Sequence, residues 1–451
     1  MKKGTLPFFL QSSPDTALLR KRGVSPFSKL RQRITRNRLA VRVTIVGAGA
    51  IGMASALDLA RRGVAVTVLD RGDVGGGCSY GNAGWLTPCF ATPLPAPGVL
   101  TKSLGWLLDP GSPLYIKPSM SPSWIRWMSR FALSTTASQF ERGTQALLAL
   151  SRFSLDAYAA LDGKFPGTFG FSQKGLLMIA QAEATFAGAC RDARAMEQRG
   201  VTIRILDAAA VAEREPAIRG PIAGGVYYPD EAHCEPLAAV LTMARAAREH
   251  GAVVTAGVEV FGVSAVSGRI DALRTTRGLI EVDRVVLATG SWSKELARPL
   301  GLRVPVLGGK GYAVIAKGID PAPRLPIKVV DRRIAITPRA DSVRLAGTLE
   351  LVDGDESVTA RRVEAILRGS KTVLNIPEPP TIVEVWRGLR PCTPDGLPLI
   401  GFAPRYENLV IATGHQMCGL HAALGTGRLV GDLLTGASPT FDPAPFRADR
   451  F

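Results

Sequence analysis

Runs and alternations of apolar residues divide the chain into a small set of elements. Val41–Val46 (VRVTIV) is a β-branched run suited to a buried parallel strand. It leads into Gly47-Ala48-Gly49-Ala50-Ile51-Gly52, then into a helical stretch, Met53–Arg62, stopped by Gly63. A second strand, Val64–Leu69, ends at Asp70. Residues 100–165 are mostly helical in pattern and contain Trp106, Trp124 and Trp127. Beyond them the pattern predicts strands over Phe171–Ala180, Gly251–Val260, Val282–Ala288, Ile334–Pro338, Val343–Leu349 and Asn408–Ala412. It predicts helices over Glu183–Arg199, Leu237–His250, Thr359–Leu374 and Ala422–Leu434. No internal repeat is visible, and no stretch reaches the roughly 18 uncharged apolar residues a membrane-spanning helix needs.

The first three elements form a strand, a glycine turn, a helix and a second strand that closes on an acid 18 residues after Gly52. Each glycine serves a different physical need. Gly47 makes the tight turn, Gly49 lets backbone approach a pyrophosphate, and Gly52 lets helix and strand pack closely. The helix N-terminus offers free N–H groups and partial positive charge to phosphates, and Asp70 would accept from ribose hydroxyls. The motif predicts a dinucleotide site without choosing between NAD and FAD.

Composition narrows the class. The 451 residues are 46% apolar and 21% charged, a globular balance for two or three domains. The net charge of +17 invites a nucleic-acid reading, but residues 1–42 hold eleven basic residues against Asp15 alone. The basicity is mostly a tail property, and no nucleic-acid partner is expected. Residues 1–40 lack an apolar signal core and are read as a disordered basic arm, with contact to anionic lipid as the alternative. The cysteines, at 78, 89, 190, 234, 392 and 418, have no C-x-x-C spacing, so reduced thiols and no metal site are expected. The patch Trp124–Met128 is read as core or interface packing, with a membrane-surface contact as the alternative.

Residues 75–84 (GGGCSYGNAG), Thr289-Gly290-Ser291-Trp292-Ser293, and the stretch from Trp386 through Arg390-Pro391-Cys392-Thr393-Pro394-Asp395-Gly396 to Gly401 together resemble the FAD-dependent D-amino acid oxidase-like oxidoreductases. The resemblance runs over about residues 41–437 and is nearest to the bacterial D-amino acid dehydrogenase branch. It implies an α/β fold: a Rossmann-like FAD-binding domain (residues 41–98, 232–304 and 386–440) interleaved with an α+β substrate domain on an antiparallel sheet (99–231 and 305–385). It implies that non-covalent FAD is held by Gly47, Gly49, Ala50, Ile51, Gly52, Asp70, Arg71, Ser79, Asn82, Ala83, Gly84, Val258, Thr289, Gly290, Trp292, Gly414, His415, Gly419 and Leu420. Val258 would hold the adenine through its backbone, and the turn after Thr413 would lie against the flavin.

At the reacting end the resemblance implies Arg390, Tyr312, Tyr228 and His415. A guanidinium fork suits a planar carboxylate and stays charged, and Arg390 would take that of the substrate. Arg387 competes for this role, and spacing alone does not separate the two. Met417 stands where glycine oxidase carries a second arginine. The implied chemistry is hydride removal from the Cα–H of a D-amino acid to flavin N5. The resulting imine hydrolyses to a 2-oxo acid and ammonia, and electrons pass to a quinone or respiratory acceptor. The alternatives are an oxygen-using oxidase of glycine, sarcosine or D-hydroxyproline-type amino acids, and a non-catalytic flavin-binding protein whose basic arm binds nucleic acid or lipid. The expected location is cytoplasmic, with a peripheral contact at the inner face of the cell membrane.

Overall fold

The structure is a computed structural model that describes residues 41–99, 114–116, 119–352 and 354–451. The expectations for residues 1–40 and for 100–113 lie outside the described residues.

The run that opens the dinucleotide motif becomes the strand Arg42–Val46, in a six-stranded sheet. The order across that sheet is Leu399–Phe402, Leu409–Thr413, Arg284–Leu287, Arg42–Val46, Ala65–Leu69, Val253–Thr255. Its pairs are parallel except for the first, which is antiparallel. The β-branched composition of these strands fits burial on both faces. Helix Ala50–Arg61 packs between Ala423–Thr435 and Pro236–Glu249. It begins three residues earlier than the pattern predicts, because the last residues of the glycine motif form its first turn.

A nine-stranded sheet faces this layer. Its order is Thr381–Cys392, Leu307–Lys317, Val343–Leu351, Ile334–Pro338, Ile327–Val329, Leu176–Ala180, Gly224–Tyr228, Arg204–Asp207, with Leu114–Ile116 added beside Val343–Leu351. Pairing is antiparallel apart from Ile327–Val329 with Leu176–Ala180 and Val343–Leu351 with Leu114–Ile116. Trp85 Nε1 donates to Thr337 Oγ1 at 2.8 Å, and Thr337 Oγ1 donates to Ala83 O at 2.8 Å. These bonds pin the loop after the first parallel strands onto the larger sheet.

Two predicted strands differ from the pattern. The predicted strand Gly251–Val260 divides at Gly257, whose φ of +68° turns the chain. Its first part, Val253–Thr255, joins the parallel sheet, and Val260–Val266 starts a separate three-stranded antiparallel sheet with Arg269–Thr275 and Gly278–Glu281. The predicted strand Phe171–Ala180 begins only at Leu176, after Gly175 at φ +84°. The long helix Ala137–Lys164 packs on Ala423–Thr435. There Gly425 N donates to Ser154 Oγ at 2.7 Å and Tyr158 Oη to Leu420 O at 3.0 Å. In the helix Pro122–Leu133, Trp127 and Phe131 are buried with Leu307, Leu351 and Cys392, which accounts for most of that apolar patch as packing. Among the described residues no helix is long and apolar enough to cross a membrane.

Candidate active site

A cavity of about 1100 Å³ lies between the carboxyl ends of the parallel strands and one face of the larger sheet. Ligands bind at such strand ends in open α/β sheets. Gly47, Gly49, Ala50, Ile51, Asp70, Arg71, Ser79, Asn82, Ala83, Val258, Thr289, Gly290, Trp292, His415, Gly419 and Leu420 all line it. The sequence motifs that share no neighbourhood in the chain thus converge on one space.

The glycine turn is built for close approach. Gly47 has φ +108°, and a Cβ there would meet Ala288 O at 2.4 Å. A Cβ on Gly49 would face only Ser79 Oγ, at 3.4 Å, so its surface is open toward the cavity. The helix that follows has no side-chain cap from Gly49 and no acid in its first turn, which leaves its N-terminal field unopposed. Ala50 N donates to Ser79 Oγ at 3.0 Å. Asp70 accepts from Ala48 N at 2.6 Å and Gly72 N at 2.9 Å, which orients its carboxylate at the cavity wall. Val258 N donates to Asp70 O at 2.8 Å. The Arg71 guanidinium lies 4.5 Å from the Trp292 ring centre, within cation–π range.

Gly52, Gly84 and Gly414 do not line the cavity; they let other parts approach it. A Cβ on Gly52 would lie 1.8 Å from Gly47 O, one on Gly84 2.2 Å from Cys234 O, and one on Gly414 2.5 Å from Thr393 Cγ2. The turn carrying Thr289 is tied to the last parallel strand: Ser293 Oγ donates to Thr413 Oγ1 at 2.8 Å, and Thr413 Oγ1 to Gly290 O at 3.0 Å.

The other end of the cavity belongs to the larger sheet. Side chains alternate faces along a strand, so Trp386, Gly388 and Arg390 share one face and Arg387 takes the other. Trp386 and Arg390 line the cavity. Arg387 instead pairs with Glu356 at 2.7 Å on the outer face. A Cβ on Gly311 would lie 1.9 Å from Arg390 Nη1, so this glycine is the floor over which the guanidinium lies. A bulge holds it there. Lys310 pairs with Glu350 and Tyr312 with Gly347, so Gly311 opposes both Thr348 and Leu349. Thr348 adopts φ +60°, and Arg390 Nη1 donates to its carbonyl at 3.1 Å. Among the described residues no carboxylate pairs with Arg390.

Two expected residues of the reacting end are not in the cavity. Tyr312 has the parity of Lys310 and points to the opposite face, where its hydroxyl donates to Glu350 Oε2 at 2.9 Å. Tyr228 lies on the cavity side of the sheet but is buried in the core with Leu86 and Cys89. Burial and the neighbouring Cys89 and Glu231 push its hydroxyl far above the usual range. His415 does line the cavity; its Nε2 shares a hydrogen bond with Thr426 Oγ1 at 3.0 Å. Burial and His421 push its pKa down to about 3, so it is a neutral ring.

The pattern-based reading missed several cavity residues. Lys328 lines the wall, and burial together with Arg333 and Arg390 pushes its pKa down to about 8. Thr348 Oγ1, Gln416 Nε2 and His421 Nε2 are buried, line the same space and have no partner among the described residues. Thr348, Gln416 (φ +51°) and Arg333 (φ +52°) are three of the four non-glycine residues with positive φ among the described residues, and all three line the cavity. Strain of this kind collects at functional sites. Nothing in the local sequence marks these residues, because pairing across the sheet places them.

A glycine cradle beside a helix N-terminus, a long apolar-walled cavity, and polar atoms without a partner among the described residues fit FAD, with the phosphates at the cradle. The comparisons with known proteins agree. A D-amino acid dehydrogenase of Rhizorhabdus wittichii is 32% identical over 418 residues, covering 91% of this chain and 100% of the relative. One of Agrobacterium fabrum is 32% identical over 416 residues, covering 91% and 99%. The crystal structure of glycine oxidase from Geobacillus kaustophilus superimposes with a TM-score of 0.73 at 25% identity, covering 91% of this chain and 99% of that one. The family model described as DAO, FAD dependent oxidoreductase, matches residues 42–433. With motif, cavity and relatives in accord, the chain belongs to the DAO family of FAD-dependent oxidoreductases.

Proposed function

We propose that the protein is an FAD-dependent dehydrogenase that oxidises the Cα–N bond of a D-amino acid. The observation that carries this reading is Arg390, a guanidinium in the cavity wall with no carboxylate among the described residues to neutralise it. A substrate carboxylate supplies the missing partner. The relatives named D-amino acid dehydrogenase, matched over nearly their whole length, support the substrate class.

In this reading Gly47, Gly49, Ala50, Ile51, Asp70, Arg71, Ser79, Asn82, Ala83, Val258, Thr289, Gly290, Trp292, Gly419 and Leu420 hold the cofactor without a covalent bond. Gly52, Gly84 and Gly414 shape that wall from behind. The segments 41–98, 232–304 and 386–440 form the cofactor domain, and 99–231 with 305–385 the substrate domain. FAD, when bound, supplies the two-electron acceptor. The chain's own residues bind and orient. Arg390, held by the Thr348 carbonyl, fixes the substrate carboxylate, and the neutral His415 and the indole of Trp386 wall the space beside it. The substrate nitrogen must be unprotonated to release its lone pair as hydride leaves. The imine then hydrolyses to a 2-oxo acid and ammonia.

Electrons would pass to a quinone or other respiratory acceptor from a peripheral position at the cytoplasmic face of the membrane. A second reading, an oxygen-using oxidase of glycine or a related amine, is favoured by the likeness to glycine oxidase. One experiment tests both. The holoenzyme is titrated anaerobically with D- and L-amino acids, glycine, sarcosine and D-hydroxyproline while its visible flavin band is followed. Bleaching by D-amino acids, with slow return of colour in air, is the expected result. Rapid return in air would favour the oxidase, and no bleaching by any of them would overturn the amino-acid reading.

A further inference from the structure

One row of the larger sheet runs through Lys328, Ala335, Ala346, Ala313 and Trp386, each the register partner of the next. Lys328, Ala335, Ala346 and Trp386 all line the cavity. The alanine side chains in this row are small, and Lys328 and Arg390 both line the cavity on this side. No hydrogen bond or ion pair from the described residues reaches the Lys328 ammonium; the groups acting on it are Arg333 and Arg390, both cations. Arg333, in the turn between Ile327–Val329 and Ile334–Pro338, also lines the cavity.

Among the described residues, the acids of the cavity lie elsewhere. Asp70, Asp73, Glu259 and Glu295 follow the ends of the parallel strands, and none stands on the larger sheet. Placing cations together in a partly buried space costs free energy unless an anion joins them. A single α-carboxylate on Arg390 leaves the Lys328 charge uncompensated.

We propose that the substrate is a dicarboxylic amino acid, its α-carboxylate on Arg390 and its side-chain carboxylate on Lys328. This rests on the amino-acid reading above and deepens it. Lys328 thereby sets specificity, and it acts as a point charge that accepts carboxylates at more than one distance along the alanine row. Thr348 Oγ1, buried on the same wall without a partner among the described residues, adds a donor for one of the two anions.

The test compares pairs that differ only in charge: glutamate with glutamine and aspartate with asparagine, in whichever enantiomer reduces the flavin of the full-length holoenzyme. The expected result is a kcat/KM at least about thirtyfold higher for the acid than for its amide, the scale of one charged hydrogen bond. Lys328→Met should collapse that ratio by tenfold or more, and Lys328→Arg should retain it. The flavin spectrum of each variant reports that the fold and cofactor are intact. Binding of the unreactive glutarate against butyrate, measured by calorimetry on the holoenzyme, decides the anion site without turnover. If no amino acid bleaches the flavin but glutarate binds more tightly than butyrate in a Lys328-dependent way, the reaction assignment fails and the anion site stands. An acid-to-amide ratio near one, or a ratio unchanged in Lys328→Met, would overturn the proposal. So would a Lys328→Met variant that slows acid and amide alike and shifts the pH profile, which would make Lys328 a proton acceptor instead.

Discussion

Arg387 and Arg390 stand on one strand, three residues apart, and project from opposite faces of the sheet. One lies in the cavity wall beside Trp386, and the other is paired with Glu356 outside. If Arg390 binds the substrate carboxylate, Arg390→Met should lower kcat/KM by roughly a hundredfold, about 3 kcal/mol of charge-assisted bonding. Arg387→Met should change it by less than about fivefold, since an exposed ion pair contributes at most about 1 kcal/mol. Anaerobic flavin reduction by the preferred substrate measures both, and equal losses would contradict the face assignment.

The same alternation removes Tyr312 from the reacting end. Its hydroxyl serves Glu350, which also holds Arg362 at 3.0 Å. Tyr312→Phe is expected to leave kcat/KM within about threefold and to destabilise the fold by about 1–3 kcal/mol, the cost of a buried carboxylate losing a donor. Urea unfolding beside steady-state kinetics separates the two effects.

Gly49 and Gly47 should respond differently to alanine. A Cβ on Gly49 meets only Ser79 Oγ at 3.4 Å, whereas one on Gly47 meets Ala288 O at 2.4 Å at a φ of +108°. Gly49→Ala should therefore fold with a near-normal apoprotein Tm yet bind FAD at least tenfold more weakly, because the methyl group takes the space a phosphate needs. Gly47→Ala should lower the Tm of the apoprotein itself. Fluorescence titration with FAD alongside thermal melts tests the distinction.

Thr348 carries a β-branched side chain at φ +60°, where an L-residue costs about 1–2 kcal/mol. Thr348→Gly should raise or preserve stability, because relief of that strain outweighs the roughly 0.5–1 kcal/mol entropic cost of glycine. It should also lower kcat/KM by about tenfold, since the carbonyl that holds Arg390 gains freedom. A gain in Tm together with unchanged turnover would show that the bulge does not position Arg390.

Glu231 gives a pH signature away from the cavity. Its Oε1 accepts from Cys89 N at 2.8 Å, and its Oε2 is buried without a partner among the described residues. Burial raises its pKa from 4.5 to about 8. The folded state therefore keeps a proton that the unfolded chain gives up, so this contribution to stability is whole below about pH 4.5 and is lost as pH rises toward about 8. Glu231→Gln removes the loss. The Tm of the parent chain should fall relative to the variant across that window, and parallel Tm profiles would refute the assignment.

Residue order alone was enough to specify the dinucleotide motif of this protein. Strand, glycine turn, helix and closing acid are contiguous between residues 41 and 70, and their geometry follows from local hydrogen bonding and the absence of side chains at Gly47, Gly49 and Gly52. The segments around Ser79, Thr289 and His415 were assigned by resemblance, and the fold brings all three to the cavity wall. Arg390 was legible as a candidate but not separable from Arg387. Which of the two lines the cavity depended on the pleat of Thr381–Cys392 and its register against Leu307–Lys317. Tyr312 and Tyr228 were assigned to the reacting end by resemblance, and the face of the strand in one case and core burial in the other took them out of the cavity.

Lys328, Thr348 and His421 carry no local signal at all. A lysine in a short apolar run looks like any solvent-facing strand residue until Ala335 and Ala346 are laid beside it. The positive φ of Thr348 exists only because two strands of unequal residue count must pair. Such features arise only on folding, because sheet register couples residues that lie far apart in the chain. The assembled sheet alone brings Lys328 and Arg390 to one cavity wall, while the cavity's acids among the described residues follow the ends of the parallel strands.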